Sequence, residues 1–348
     1  MSLLHGVGDF FSLDIGTSSM RIVQLSGGAE RGWSLLKYAY IPVAPKIISD
    51  DSELGRKRLG EAIMGAVNQA GIKTKNVAIG LPASKTFTSI VETDTLPEKE
   101  LNKTFKYEMG KYVPMAASED KADYIIIGPS PNDPARTEVI VSSVSKEYAE
   151  SVMETIDKTG LNIIAMEPEP LAMARSLAIP GAIDATMIVD FGEKSTDLVI
   201  TYKNQPRLVR SIPGGFSTFV QTVSGALNVR EDQARQFILK FGLTEDKVEG
   251  QVFKVLSHLL EGYASELTKS VRFFQTKYLN GKVGGIVLSG YASRIPLFPE
   301  YIEARTNIPA MKGNPWQSVR TTKEQQQALA PVANEFAVVI GLSERSND

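Results

Sequence analysis

The apolar positions of this chain alternate between two textures. Residues 11–25, FSLDIGTSSMRIVQL, are apolar up to Ile15 except for Ser12 and Asp14. They bend at Gly16 and resume with Ile22, Val23 and Leu25, the pattern of two β-strands joined by a tight turn. Residues 33–43, WSLLKYAYIPV, predict a third strand. The period then changes. Leu59, Ile63, Ala66, Val67 and Ala70 share one face of a helix over 54–70, which Gly71 stops. NVAIGLP at 76–82 predicts a buried strand. Residues 84–166 break this rhythm with a strand at 86–94, a helix at 98–113, strands at 124–127 and 138–145, a helix at 146–159 and a strand at 162–166. That order predicts a small subdomain inserted into the first half. A helix at 171–177 leads to the second half. There a strand pair at 187–200 is followed by a strand at 207–212 and by helices at 219–227, 231–240 and about 245–279. The longest carries Leu256, Leu260, Tyr263, Leu267, Val271 and Phe274 as a core stripe. A closing helix is predicted over 329–342.

One strand–turn–strand unit occurs twice. MIVDFGEKSTDLVI at 187–200 repeats the first, with Asp190 matching Asp14 and Gly192 matching Gly16. Ser195 and Thr196 fall where Ser19 and its neighbours lie in the first copy. A single Asp-x-Gly turn joins strands in many proteins that bind nothing. Two copies in matching context point to chemistry. Small-residue turns of this kind present N–H and hydroxyl groups to phosphate oxygens, and the carboxylate holds hydrated Mg²⁺. A third stretch, GGIVLSGYASRI at 284–295, is a strand followed by Gly290, Tyr291 and Ala292 and an apparent helix start. Gly214 and Gly215 precede the predicted helix at 219–227, either as a plain strand-to-helix turn or to let a helix N-terminus face phosphate.

Composition narrows the alternatives. The net charge of −2 gives no reason to expect non-specific binding to nucleic acid or anionic lipid. Cysteine is absent and only two histidines occur, which removes thiolate metal sites and any Ser-His-Asp arrangement from consideration. No run approaches the roughly 18–20 apolar residues that span a bilayer. Neither terminus reads as a signal peptide or an amphipathic anchor, so a cytoplasmic protein is expected.

The two hairpins and the Gly290 motif, in this order, resemble the actin-like ATPase superfamily. The resemblance implies an α/β fold of two ribonuclease-H-like lobes that bind ATP and Mg²⁺. It assigns residues 1–83, completed by 167–181 and 325–348, to the first lobe and 182–324 to the second, with 227–282 as a helical subdomain. Residues 84–166 then form an insertion resembling subdomain 1C of the cell-division protein FtsA and of the type IV pilus assembly protein PilM family. VETDTLPEKELNKTFKYEMGKYVPM, with Tyr112-Val113-Pro114, and GLNIIAMEPEPLAMARSL favour the PilM family.

That resemblance implies a scaffold of pilus or related secretion-system assembly. It would lie on the inner membrane by docking the short N-terminal cytoplasmic tail of a PilN-like protein, with other pilus assembly components as further partners. The alternatives are an FtsA-like filament protein and a small-molecule kinase or phosphatase of the same fold. On this reading Asp14 and Asp190 position the metal. Gly16, Thr17, Ser18, Ser19, Gly192, Ser195 and Thr196 hold phosphates. Gly214, Gly215, Gly290, Tyr291 and Ala292 line the nucleoside side. Glu167, ahead of Pro168, stands where chaperone ATPases orient the attacking water, making at most a slow ATPase. Acids also favour helix N-termini, so a capping role fits Glu167 as well.

The insertion's helix carries Lys103, Lys106 and Lys111 beside Phe105, Tyr107 and Tyr112, a mixture that suits a peptide groove. One departure stands out. Relatives carry Ala-Glu-x-x-Lys on a helix that contacts ribose and adenine. This chain has Arg235 and Ile238 there, unless a shift of two residues makes Lys240 the basic position. Weak selectivity for adenine is expected.

Overall fold

The computed structural model describes residues 9–28, 30–113, 120–245 and 250–345. The chain divides into two compact units, one formed by 1–176 with 315–348 and the other by 177–314. The first unit starts with strands β1 (Phe11–Ile15), β2 (Ser19–Gly28) and β3 (Gly32–Pro42). The short helix α1 (Pro45–Ile48), the long helix α2 (Glu53–Ala70) and strand β4 (Asn76–Leu81) follow. Ser52 caps α2 by accepting from the Gly55 N–H, and Gly71 ends it in the left-handed conformation with φ +67°.

Strand β5 (Thr86–Asp94), helix α3 (Glu98–Tyr112), and strands β6 (Asp120–Pro129) and β7 (Arg136–Ser145) form a separate three-stranded sheet in the order β5-β7-β6. Leu101, Phe105, Val139 and Val141 are the centre of its own small core. Helix α4 (Lys146–Asp157), strand β8 (Asn162–Pro168) and helix α5 (Glu169–Leu177) come next. Residues 86–145 of the predicted insertion thus make its sheet. By contrast, β8 pairs in parallel with β4, and Ile156 of α4 and Leu161 lie in the core of the main sheet with Ile63 and Val67 of α2. Pro114, the end of the Tyr-Val-Pro signature, lies outside the described residues, as does the Lys106 side chain.

The second unit carries strands β9 (Ala185–Phe191), β10 (Ser195–Tyr202) and β11 (Gln205–Pro213). Helices α6 (Phe216–Leu227), α7 (Glu231–Phe241) and α8 (Gly250–Lys277), strand β12 (Val283–Gly290), helix α9 (Phe298–Thr306) and strand β13 (Ala310–Lys312) complete it. Its sheet runs β11-β10-β9-β12-β13. The core stripe read from the sequence is buried, with Leu256, Leu260 and Leu267 fully enclosed against Phe191, Phe219 and Phe298.

The chain then returns to the first unit as strand β14 (Val319–Arg320), helix α10 (Lys323–Leu329), a 3₁₀ turn at Ala333–Phe336 and helix α11 (Ala337–Ser343). The first unit's main sheet is therefore β14-β3-β2-β1-β4-β8. The single closing helix predicted over 329–342 is broken, because Pro331 has no N–H to continue α10 and its ring excludes the preceding turn. In each unit an antiparallel hairpin, β1–β2 or β9–β10, is flanked by a parallel strand, β4 or β12. The repeat read in the sequence is therefore a repeat of sheet topology.

Candidate nucleotide-binding site

Both hairpins close in the same way. The Gly16 N–H donates to the Ser19 carbonyl at 3.0 Å, and the Gly192 N–H donates to the Ser195 carbonyl at 3.0 Å. Thr17 and Ser18 are half-buried at the first tip, and Ser19 is buried at the start of β2. Strand register sets an aspartate opposite the residue seven positions on: Asp14 faces Arg21, and Asp190 faces Asp197.

The two hairpins therefore differ in charge. Asp14, 4% exposed, accepts from Arg21 Nη1 at 3.0 Å, and Arg21 Nη2 reaches Glu335 Oε2 at 2.9 Å. The Tyr40 hydroxyl donates to the same Glu335 oxygen at 3.1 Å. Burial works against the Arg21 charge, but Asp14 and Glu335 outweigh it and hold its pKa above the usual value. Burial also raises the Asp14 pKa, against the opposing pull of Arg21. A Cβ on Gly16 would lie 2.7 Å from Arg21 Nη1, so the guanidinium sits directly against the turn. The first hairpin thus has a cation built in beside its aspartate.

The second hairpin has two acids instead. Asp197 is 9% exposed, and its Oδ1 has no hydrogen-bond partner among the described residues. Burial raises its pKa, with Ser211 and Ser195 opposing. The Tyr263 hydroxyl of α8 is raised as well, by burial and by the charges of Asp190 and Asp197. Two neighbouring carboxylates with an unmatched oxygen form a donor set that suits a hydrated divalent cation. Asp14, already paired with a guanidinium, fits a metal less well.

The third motif is bound into the second hairpin. Gly290 has φ +61°, and a Cβ there would lie 2.6 Å from Asp190 Oδ1 and 2.7 Å from the Phe191 carbonyl. Only glycine allows β12 to approach so closely. Gly215 is required for a similar reason, since its Cβ would meet the Gly192 carbonyl oxygen at 2.5 Å. The N–H groups of Phe216 and Ser217 at the start of α6 donate to the carbonyls of Gly192 and Glu193, both at 2.9 Å. Those helix N-terminal donors are therefore occupied by the hairpin. Thr196 is fully buried, and its hydroxyl donates to the Gly214 carbonyl at 3.0 Å. Gly214, Gly215 and Thr196 hold the loops together, while Gly192 and Ser195 form the turn itself.

Tyr291 stacks on Phe216 with ring centroids 4.1 Å apart and planes 10° apart. Ala292 is fully buried behind it. Arg235 of α7 lies over this pair, with Cζ 4.9 Å from the Phe216 centroid and Nη1 3.3 Å from the Tyr291 hydroxyl oxygen. Ile238 belongs to the core, and Lys240 is exposed, lying over the adjacent Phe241 ring at 5.2 Å. Arg235 therefore stands where the resemblance expects an acid, and the core residue Ile238 where it expects a lysine.

Glu167, 3% exposed, is held between two guanidiniums. Oε1 accepts from Arg175 at 2.7 Å and Oε2 from Arg345 at 2.7 Å. Burial alone would raise its pKa, but the two arginines outweigh burial and lower it. A general base works best with a pKa near the working pH and a free lone pair on the reacting side. These contacts favour an ionic anchor that joins α5 to the end of α11.

Sequence reasoning did not single out Arg21, Asp197, Glu193 or Glu335. The first two carry a readable signal, each being the cross-strand partner fixed by a turn closed between the glycine and the serine three residues on. The other two are brought in by residues distant along the chain.

Two sheets, each with an Asp-x-Gly hairpin flanked by a parallel strand, and an inserted three-stranded subdomain define a protein of the actin-like fold. A solved structure of MreB 5 of Spiroplasma citri bound to AMPPNP is similar across 96% of this chain and 95% of its own, with a TM-score of 0.55 and 10% identity. The ethanolamine utilization protein EutJ from Carboxydothermus hydrogenoformans gives 0.56 at 12% identity, covering 97% of this chain and 90% of that one. The chain belongs to the family of type IV pilus assembly protein PilM, whose model matches residues 12–347. A PilM-PilN type IV pilus biogenesis complex is similar over 98% of this chain and 99% of that chain, with a TM-score of 0.81 and 20% identity.

Proposed function

We propose that this chain is a nucleotide-binding scaffold of type IV pilus assembly that docks the N-terminal cytoplasmic tail of a PilN-like inner-membrane protein. The observation that carries the nucleotide part is the pair of identically closed hairpins, each with an aspartate at its base, buried at Asp14 and half-buried at Asp190. Gly16, Thr17, Ser18 and Ser19 on one hairpin, and Gly192 and Ser195 on the other, offer phosphate donors. Arg21, paired with both Asp14 and Glu335, fixes the base of the first hairpin. Asp190 and Asp197 would hold hydrated Mg²⁺, which supplies charge neutralisation to the phosphates when bound. Bidentate pairing of Glu167 with arginines fits binding, with at most slow hydrolysis.

The partner part rests on family membership and on the complex named above. No described helix is long and apolar enough to cross a membrane. In this reading the PilN-like partner brings the chain to the cytoplasmic face of the inner membrane. Within the insertion Phe105 stacks on Tyr124 at 4.9 Å and on Tyr112 at 5.5 Å, so these rings fill its core. Tyr107, Ile125 and Ile126 remain exposed as apolar anchors.

Calorimetry with Mg–ATP tests the first part. Asp190→Asn should weaken binding by about tenfold or more, the loss expected from removing one charged ligand of a bound cation. Asp14→Asn is the better companion than Asp14→Ala, which would leave Arg21 short of its buried partner, and it should weaken binding less than Asp190→Asn. Equal binding by all three proteins would remove the hairpins as the phosphate site. Titrating the partner's N-terminal peptide onto the intact chain tests the second part. No binding at high micromolar peptide would remove the docking role.

A further inference from the structure

The tip of the second hairpin carries a charge that does not suit its proposed ligand. Glu193 follows Gly192 directly, and its carboxylate stands on the element that would hold phosphate oxygens. A bare carboxylate there would repel a nucleoside diphosphate or triphosphate, with little solvent to screen the two charges. Glu193 is not bare. Arg235 of α7, forty-two positions along the chain, grips both carboxylate oxygens, Nη1 to Oε2 at 3.0 Å and Nη2 to Oε1 at 2.5 Å. The fork is held flat by the Phe216 ring beneath it, 4.9 Å from Cζ, and by the Tyr291 hydroxyl, 3.3 Å from Nη1.

Backbone bonds fix the other end of the pair. The Glu193 carbonyl accepts from the Ser217 N–H at 2.9 Å, and the Gly192 carbonyl accepts from the Phe216 N–H at 2.9 Å. The hairpin tip, the start of α6, α7 and the Tyr291 turn are thus joined through one ion pair. Lys194, next along the hairpin, is exposed.

We infer that Arg235 is a positioning residue that sets the affinity of this site: by neutralising Glu193 it lets the second hairpin accept an anionic polyphosphate. The inference rests on the nucleotide-binding reading above. It assigns affinity to the charge balance of the pair. A bidentate guanidinium suits this task, because its fork meets both carboxylate oxygens and cancels their charge.

The test is a charge series titrated with Mg–ADP, with melting temperatures measured alongside. Arg235→Ala leaves Glu193 unpaired and should bind at least about tenfold more weakly than the parent. Arg235→Lys keeps the charge, and the double variant Arg235→Ala with Glu193→Gln restores neutrality. Both should fall within about threefold of the parent. Glu193→Gln alone leaves a free guanidinium and should bind at least about threefold more tightly. An Arg235→Ala variant that loses less than tenfold overturns the proposal. So does a folded double variant as weak as Arg235→Ala, since shape rather than charge would then be at stake. A Glu193→Gln variant that binds no better than the parent overturns it too. If the parent itself binds neither Mg–ADP nor Mg–ATP, the nucleotide reading falls first, and that result precedes any substitution.

Discussion

At the scale of single residues, this protein keeps several charges inside the first unit, and their pairing sets how it responds to pH. Glu344 is 8% exposed, and burial pushes its carboxyl up to about 7, against the opposing influence of Ser318 and Arg175. In the unfolded chain the same carboxyl titrates near its ordinary 4.5. The folded state therefore holds a proton that the unfolded state has released. The stability linked to that proton is fully present below about pH 4.5 and is lost as pH rises toward 7, by up to about 3 kcal/mol at 1.36 kcal/mol per unit. Glu167 shifts downward, so the stability it contributes is lost only as the medium becomes more acid than its unfolded value. Both tryptophans, Trp33 and Trp316, lie in the first unit, so their fluorescence follows that unit's unfolding. Urea unfolding read this way should give a lower free energy at pH 8 than at pH 5 in the parent, and a flatter profile in Glu344→Gln. Equal slopes in the two proteins would assign the dependence elsewhere. None of this was legible in the sequence, because Glu344 reads as part of a polar terminal stretch and owes its shift to enclosure by distant residues. Asp14 and Asp190 were legible, since each ends an apolar strand before a glycine. Arg21 and Asp197 become legible once the hairpin register is drawn. The Glu193–Arg235 pair links different elements of the second unit, and nothing in local pattern announces it.

At the scale of elements, periodicity located most helices and strands, since amphipathic faces and buried runs are local properties. Helix α2 falls at Glu53–Ala70 against a reading of 54–70, and β4 at Asn76–Leu81 against 76–82. Local period does not determine an element where tertiary packing decides. The stretch after Leu329 has the apolar density of one helix, yet Pro331 divides it, leaving α11 as a separate element. That division serves a close contact, for α11 crosses α5 through Gly341. A Cβ there would lie 1.8 Å from the Ala172 carbonyl oxygen, inside any real contact distance. The Ser176 hydroxyl donates to the Ala337 carbonyl at 2.7 Å across the same crossing. Gly341→Ala should therefore destabilise the first unit by about 2–3 kcal/mol through overpacking. Gly65→Ala is the matched control. It lies in α2 with nothing within 4 Å of its added Cβ, and the gain in helix propensity should stabilise by up to about 1 kcal/mol. Tryptophan-monitored unfolding of the two variants reads both signs, and a neutral Gly341→Ala would mean that the helices separate without cost.

At the scale of the whole molecule, the two units repeat one topology, and the insertion is what the first unit has in addition. Its chain path makes it removable. Thr86 at the start of β5 pairs with Val144 near the end of β7, so the chain leaves the main body and returns to it side by side. Val144 itself packs with Leu81 and Ala149 and should be kept. Joining Thr86 to Val144 through two glycines in place of residues 87–143 removes α3, β6 and most of the three-stranded sheet. It leaves β1–β2, β4 and β8 in register, and Asp14, Arg21 and Glu335 in place. Such a protein should fold and bind Mg–ATP within about threefold of the parent, since none of the phosphate donors proposed above lies in the deleted segment. It should lose binding of the partner's N-terminal peptide, because the exposed Tyr107, Ile125 and Ile126 leave with it. Substituting those three residues with serine in the intact chain separates anchor loss from sheet loss and should weaken peptide binding by about tenfold or more while leaving nucleotide binding alone. Peptide binding retained in the shortened protein would move the docking surface onto the main body. Nucleotide binding lost from a folded shortened protein would mean that the insertion supports the phosphate hairpins.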